Sequence, residues 1–201
     1  ANTGWLINGP TKTIGKIGQA LSFDRVDDYV DVGSAAPLDN ITAKTISAWI
    51  LPLSTGEIDG DIINKEQNGN QWWFRIDNAS AACGGGTNKL CFQQFFSVAP
   101  GRWITAANSI PMNLWTHVAI TYNRSAGTND PIIYINGVAT AITESSTPSG
   151  TVVDDADFVM TIGGNTNAGG SQVFDGKIDE VRIYNRALSP DEIRRLWNIG
   201  R

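Results

Sequence analysis

Short segments that alternate polar and apolar residues recur along the whole chain, and turn-forming residues separate them. Residues 29–32 and 45–50 alternate with a period of two, which places successive side chains on opposite faces of a β-strand. Asn136-Gly137 lies between two β-branched runs and is typical of a two-residue hairpin turn. The pattern predicts roughly ten to twelve strands. We therefore expect an all-β fold, an antiparallel two-sheet β-sandwich.

The composition agrees with many short strands in one domain. The chain has 201 residues, of which 21 are Gly and 8 are Pro, and only 17% are charged. Low charge and abundant turn formers favour a sandwich over a helical bundle. Residues 145–151 are the most linker-like stretch, but strand signals lie on both sides of them. We predict a single domain over residues 1–201.

One short helix is predicted at the C-terminus. Ser189 can cap it, Pro190 suits its first position, and Glu192 completes a capping box three residues after the cap. Gly200 supplies the stop. We expect this helix to cover one end of the sandwich.

Charge and hydropathy exclude two classes of partner. The net charge is −5 and Lys and Arg never cluster beyond two neighbours, so nucleic acid is not an expected partner. No run approaches the roughly 18 apolar residues of a membrane span, so no membrane insertion is expected. The chain starts at Ala1 without a signal peptide, as a processed protein or an excised domain would.

The chain has two cysteines, Cys83 and Cys91. An even count at close spacing favours a disulfide and an oxidising compartment. Closing this short loop would contribute about 2–3 kcal/mol. The alternative is a pair of buried thiols.

Seven sequence blocks occur in the order seen in one family. They are residues 20–33, 46–52, 62–65, 113–122, 134–137, 162–164 and 176–189. Together they resemble the laminin G-like, concanavalin A-like lectin and glucanase jelly rolls, in their pentraxin-like branch. The resemblance implies two packed antiparallel sheets with the first and last strands adjacent, in an extracellular or cell-surface protein. Arg25 stands where the family usually has Gly, so a positive φ there would cost about 1 kcal/mol.

Acidic residues lie near both of these terminal strands. Asp24, Asp27 and Asp28 belong to the opening block, and Asp179 belongs to the closing one. If the strands pair, their carboxylates converge, and such a set of hard oxygens suits Ca²⁺. The resemblance also implies a structural Ca²⁺, with Asp28 and Asp179 as its main ligands. The alternative is a group of solvated turn aspartates.

Aromatic residues beside amides suggest a carbohydrate surface. Trp72 and Trp73 follow Asn70 and Gln71, and a Trp platform beside amides can hold the apolar face of a sugar ring. Strand alternation allows only one of the two tryptophans to face outward. Trp103 is a further candidate for exposure. The remaining tryptophans are assigned to packing: Trp5, Trp49, Trp115 and Trp197.

One segment suggests catalysis. Glu57, Asp59 and Asp61 partly resemble the alternating carboxylates of laminarinase-type glycoside hydrolases, which share this architecture. The last acid is Asp rather than Glu, and the resemblance assigns the segment to a loop. We therefore do not expect an enzyme.

Two functions from different classes remain. One is a lectin-like module that binds glycans. The other is a structural or adhesive module, such as a homo-oligomeric subunit of an extracellular filament or surface assembly, whose partners are neighbouring protein subunits. An exposed Trp72 or Trp73 favours the first, and a large interface between copies favours the second.

Overall fold

The chain folds into two antiparallel β-sheets and one short helix. The computed structural model describes residues 3–54, 59–67, 70–78, 80–165 and 172–201. Within these residues there are fifteen strands, more than the sequence predicts, because three of them have only three residues. They are β1 (Trp5–Ile7), β2 (Thr11–Ile14), β3 (Gln19–Asp24), β4 (Tyr29–Gly33), β5 (Ala43–Pro52), β6 (Asp59–Gln67), β7 (Asn70–Asn78), β8 (Thr87–Gln94), β9 (Gly101–Thr105), β10 (Thr116–Asn123), β11 (Ile132–Ile135), β12 (Val138–Thr140), β13 (Ile142–Ser146), β14 (Met160–Ile162) and β15 (Asp175–Tyr184).

The two sheets pack face to face as predicted. One has eight strands in the order β1-β4-β14-β6-β7-β8-β9-β13, and the other has seven in the order β12-β11-β10-β5-β15-β3-β2. Strands β3 and β15 pair from Asp24 opposite Asp175 to Leu21 opposite Ile178. The expected adjacency of the first and last family blocks is therefore confirmed.

Strand β7 shows how the sequence divides the two sides of its sheet. Trp72, Phe74 and Ile76 point inward and belong to the main hydrophobic core. Trp73 and Arg75 alternate with them and point to the outer face. The core side is completed by aromatic contacts between β8, β9 and β10, with ring centroids 5.3–6.0 Å apart.

The predicted hairpin turn and the strained Arg both occur. Asn136 and Gly137 connect β11 to β12 with φ angles of 50° and 75°, as a type I′ turn requires. Arg25 has a φ of 72°, so the β3–β4 turn keeps the left-handed conformation although it lacks the family's Gly.

The helix α1 (Pro190–Ile199) has the predicted cap but a different position. Ser189 accepts a hydrogen bond from the Glu192 backbone N–H, and the Glu192 side chain accepts one from Ser189. Ile193 packs on Ala119 and Tyr134, which lie on the outer face of the seven-stranded sheet. The expectation that the helix covers one end of the sandwich was wrong, because its apolar stripe matches that outer face. Among the described residues, no helix has the length and hydropathy needed to cross a membrane.

The cap gives the first testable prediction. Ser189→Ala should lower the free energy of unfolding by about 1 kcal/mol, because the first turn loses the acceptor for one of its N–H groups. Ser189→Asp is the matched control, since it keeps an acceptor and should cost much less. Urea denaturation measures both, and equal stabilities for the two variants would contradict the assignment.

Candidate ligand-binding face

One row of side chains crosses the outer face of the eight-stranded sheet. The strand registers align seven residues from one edge strand to the other side: Trp5, Asp31, Thr161, Asn64, Trp73, Gln93 and Arg102. Six strand spacings make this row roughly 29 Å long. Its four central side chains are buried, and Trp5, Asp31 and Arg102 towards its two ends keep exposed surface.

The centre of the row is a closed ion cluster. The Arg75 guanidinium stacks on Trp73 with its Cζ atom 3.5 Å from the ring centroid. Its Nη1 atom lies 2.7 Å from Asp59 and its Nε atom 2.9 Å from Asp61. All four side chains are at most 3% exposed. Buried charges persist only when they are paired, so we assign the cluster a structural role beneath this face.

Burial also changes the protonation of this cluster. It raises the pKa of Asp59 to about 6 and that of Asp61 to about 6, although Arg75 opposes the shift. Asp77, directly opposite Asp59 in the register, adds to the effect on Asp59. The two carboxyls therefore titrate near neutral pH instead of near pH 4.

The tryptophan platform predicted from the sequence was wrong. Trp72, Trp73 and Trp103 are 1%, 3% and 0% exposed. Trp72 lies in the core beneath the Lys44 ammonium, and the Trp103 indole donates to Asp130 at 2.7 Å. Their strands, β7 and β9, lie inside the eight-stranded sheet. Trp72 and Trp103 face the main core, and Trp73 packs with the disulfide on the outer face. The side chains of Asn70 and Gln71 lie outside the described part, and only their backbones are placed in β7.

Five polar residues lie beside the closed centre, and three of them are half-buried. We call Glu66, Gln93, Arg102, Asn165 and Gln172 the polar cluster. Arg102 Nε donates to Gln93 Oε1 at 2.7 Å, and Asn165 Nδ2 donates to Glu66 Oε1 at 3.2 Å and to Gln172 Oε1 at 3.1 Å.

The polar cluster mixes donors and acceptors at the solvent boundary. Glu66, Arg102 and Gln172 are half-buried. Burial is the main cause that raises the pKa of Glu66. Amide, guanidinium and carboxyl groups held side by side can pair with vicinal hydroxyls, which both donate and accept.

Trp5 is the exposed aromatic residue of the row. Its neighbour Leu6 pairs with the core residue Val30, so Trp5 faces outward, and it is 70% exposed. The assignment of Trp5 to packing was therefore wrong. A three-residue edge strand carries too short a pattern to identify its outward face, so only the register shows that Trp5 shares a row with Arg102.

The predicted disulfide supports this face. Cys83 and Cys91 are bonded, with their Cα atoms 6.3 Å apart. Both pack against Trp73 on the outer side of β7 and β8. The bond therefore fastens the residues before β8 beside the ion cluster.

The acidic residues of the β3–β4 turn converge only in part as expected. Asp24, Asp27 and Asp28 bring one carboxylate oxygen each within 4.8 Å of one another. Asp28 accepts from the Asp24 backbone N–H at 3.0 Å, and burial followed by the Asp24 charge raises the pKa of Asp28.

Asp179 lies elsewhere, which corrects the expected Asp28–Asp179 pair. Its carboxylate accepts the Ile17 backbone N–H at 2.8 Å. It lies opposite Trp49 of β5 and directly follows Ile178, the last β15 residue that pairs with β3. Asp175, four residues away, is the β15 residue that lies opposite Asp24. The strands pair as expected, but the register moves Asp179 away from the turn.

Two of the three carboxylates considered for catalysis, Asp59 and Asp61, form ion pairs. Asp59 and Asp61 do project from the outer face of β6, as a catalytic strand would require. Both are paired with Arg75 and buried, so neither can reach a substrate in this arrangement. Glu57 lies outside the described residues.

The two packed antiparallel sheets define a jelly-roll domain. The chain belongs to the concanavalin A-like lectin/glucanases superfamily, whose laminin G-type model matches residues 24–194. The expected pentraxin-like branch stays a prediction. No curated protein matches the chain in sequence.

Solved structures with the same fold are receptor-binding domains of botulinum neurotoxins. The binding domain of serotype C/D with a bound tetraethylene glycol aligns with a TM-score of 0.67 and 16% identity, over 98% of this chain and 46% of that one. The binding domain of serotype D/C VPI 5993 aligns with a TM-score of 0.69 and 16% identity, over 100% of this chain and 48% of that one. The binding domain of botulinum neurotoxin DC in complex with rat synaptotagmin II aligns with a TM-score of 0.65 and 17% identity, over 100% of this chain and 48% of that one. The chain spans about half the length of these domains, and the likeness is one of fold.

The ion cluster predicts a specific pH dependence. Because the pKa values of Asp59 and Asp61 are raised in the fold, their contribution to stability is full below about pH 4 and is lost as pH rises through about 6. Asp61→Asn should reduce this slope by at most about 1.4 kcal/mol per pH unit. Urea denaturation at several pH values measures it, with the exposed Asp157→Asn as control. An unchanged slope in Asp61→Asn would contradict the raised pKa.

Proposed function

We propose that this domain is a non-catalytic recognition module that binds a neutral glycan on the outer face of the eight-stranded sheet. One observation supports the proposal most directly: the half-buried Glu66, Arg102 and Gln172 of the polar cluster share the outer face with a row that ends in the exposed Trp5. Sugars combine apolar ring faces with hydroxyls that donate and accept, and this face offers a group for each.

The charges of the face favour a neutral sugar over an acidic one. Glu66 and Asp31 lie on this side as two half-buried acids, and Arg102 is the half-buried cation of the polar cluster. Arg75 is neutralised by Asp59 and Asp61. The net charge of −5 further disfavours a polyanionic glycan, since like charges repel.

Recognition without turnover is supported by the state of the carboxylates. A glycosidase needs two carboxyl groups that reach the scissile bond. Asp59 and Asp61 instead pair with Arg75 in the buried ion cluster, so this pair of carboxylates does not offer such a site. An extracellular or cell-surface location is proposed with this function, because the disulfide is typical of an oxidising compartment.

A glycan array tests the proposal. Arg102→Gln and Trp5→Ala should each weaken the strongest neutral-glycan signal about tenfold, equal to about 1.4 kcal/mol. Both side chains are partly or largely exposed, so neither change should unfold the protein. Leu114→Ala, an exposed apolar change on another surface, is the matched control. If no neutral glycan binds, or if binding survives both variants, the proposal fails.

Calcium is proposed for the β3–β4 turn, with Asp24, Asp27 and Asp28 as ligands. Three carboxylates supply three of the six to eight oxygens that Ca²⁺ needs, and backbone carbonyls and water would supply the rest. The bound ion would offset the mutual repulsion that now raises the pKa of Asp28.

Thermal unfolding with and without Ca²⁺ tests this site. At a Ca²⁺ concentration of about 100 times its dissociation constant, the ion should stabilise the fold by about 2.7 kcal/mol. Asp27→Asn should remove most of this gain. Asp157→Asn is the control, because it removes a carboxylate outside the turn. An unchanged melting temperature in the wild type would exclude the ion.

A further inference from the structure

The sandwich is open along one side, between β4 and β14 of one sheet and β15 of the other. An apolar cavity of about 340 Å³ lies there, lined chiefly by Val30, Val32, Met160, Ile162, Val181 and Ile183. A second cavity of about 200 Å³ shares Val30, Ile162 and Val181 and continues beneath β3. We call the two together the side cleft.

The side cleft is a direct continuation of the hydrophobic core. Val30 and Met160 are core residues, while Val32, Ile162, Val181 and Ile183 pack against that core and remain half-buried. A folded domain gains stability by removing such surface from water, so an uncovered strip beside the core marks a contact site.

The second half of β15 is a free strand edge beside this cleft. Strand β3 pairs with β15 only from Asp175 to Ile178, because a β-bulge follows between Asp179 and Arg182, with Glu180 at a φ of 51°. From Arg182 to Tyr184, β15 pairs with β5 on its other side. In the described ranges, no strand pairs with the opposite side of residues 182–184.

The free edge determines the chemistry of the occupant. Beyond the bulge, alternate backbone N–H and C=O groups of Arg182–Tyr184 face away from β5, and such groups are satisfied best by another backbone. A hydrocarbon chain would fill the apolar space but would leave these groups unpaired. Three residues of strand are about 10 Å long, enough to pair with a peptide of three or four residues.

We propose that the side cleft binds an extended peptide segment of a partner protein, which adds to β15 as a strand and places apolar side chains at alternate positions between the two sheets. The peptide would continue the line of β3, and its inward residues would contact Val32 and Ile183. Backbone pairing would supply affinity, and the depth of the cleft would select the side chains. This site is separate from the proposed glycan face, so an experiment can exclude peptide binding without excluding glycan binding, and the reverse.

Selection from a random dodecapeptide phage library tests the proposal. Enriched peptides should share alternating apolar residues, and Ile183→Lys should weaken their binding at least tenfold because it places a charge in the cleft. Val98→Lys is the matched control, since Val98 is an exposed apolar residue on a loop away from the cleft. Amide hydrogen exchange should slow within residues 182–184 when a selected peptide is added.

A second readout uses the unmodified protein and does not depend on Ile183→Lys folding. N-methylation of alternate residues in a selected peptide should abolish binding in the register that blocks backbone pairing and spare it in the other. Dodecanoate is the competing probe. If no peptide is enriched, if both methylated registers bind equally, or if dodecanoate binds where peptides do not, the proposal is overturned.

Discussion

Alternation along β7 is the constraint on which the rest of the structure depends. Trp72, Phe74 and Ile76 must enter the core, so Trp73 and Arg75 must lie on the outer face. An Arg in that position needs carboxylates, and the register with β6 supplies Asp59 and Asp61. The hydrophobic core and the ion cluster are therefore two sides of the same strand, and neither can change register without the other.

The same constraint assigns different tasks to different parts of the outer face. At the centre, Arg75 stacks on Trp73 and the disulfide packs against the same ring, so these contacts stabilise the sheet. Glu66, Arg102 and Gln172 of the polar cluster lie half-buried on one side of that centre, and Trp5 lies exposed on the other. A binding face held by a rigid sheet loses little conformational entropy when a ligand arrives, which favours recognition.

Local patterns predicted the fold well because they act over few residues. Asn136-Gly137 requires positive φ at two neighbouring positions, and Ser189 with Glu192 caps a helix within one turn. The pairing of β3 with β15 followed from the resemblance of the two ends to a known family. These features need no knowledge of distant contacts.

The site could not be predicted in the same way, because burial depends on neighbours that are distant in sequence. Trp73 is hidden by the Arg75 guanidinium and the disulfide, whereas Trp5 is exposed because β1 lies at a sheet edge. Asp179 was expected beside Asp28, but the register places Asp175 opposite Asp24 instead. Composition marked the right residue types, and only the three-dimensional arrangement showed which of them reach solvent.

The most direct test of the central claim is backbone amide and indole chemical-shift mapping by NMR during titration with a neutral oligosaccharide. A ligand on the outer face of the eight-stranded sheet predicts shifts at Gln93, Arg102 and the Trp5 indole, with little change on the outer face of the seven-stranded sheet. Shifts confined to the helix-covered face, or none at saturating sugar, would contradict recognition through this face.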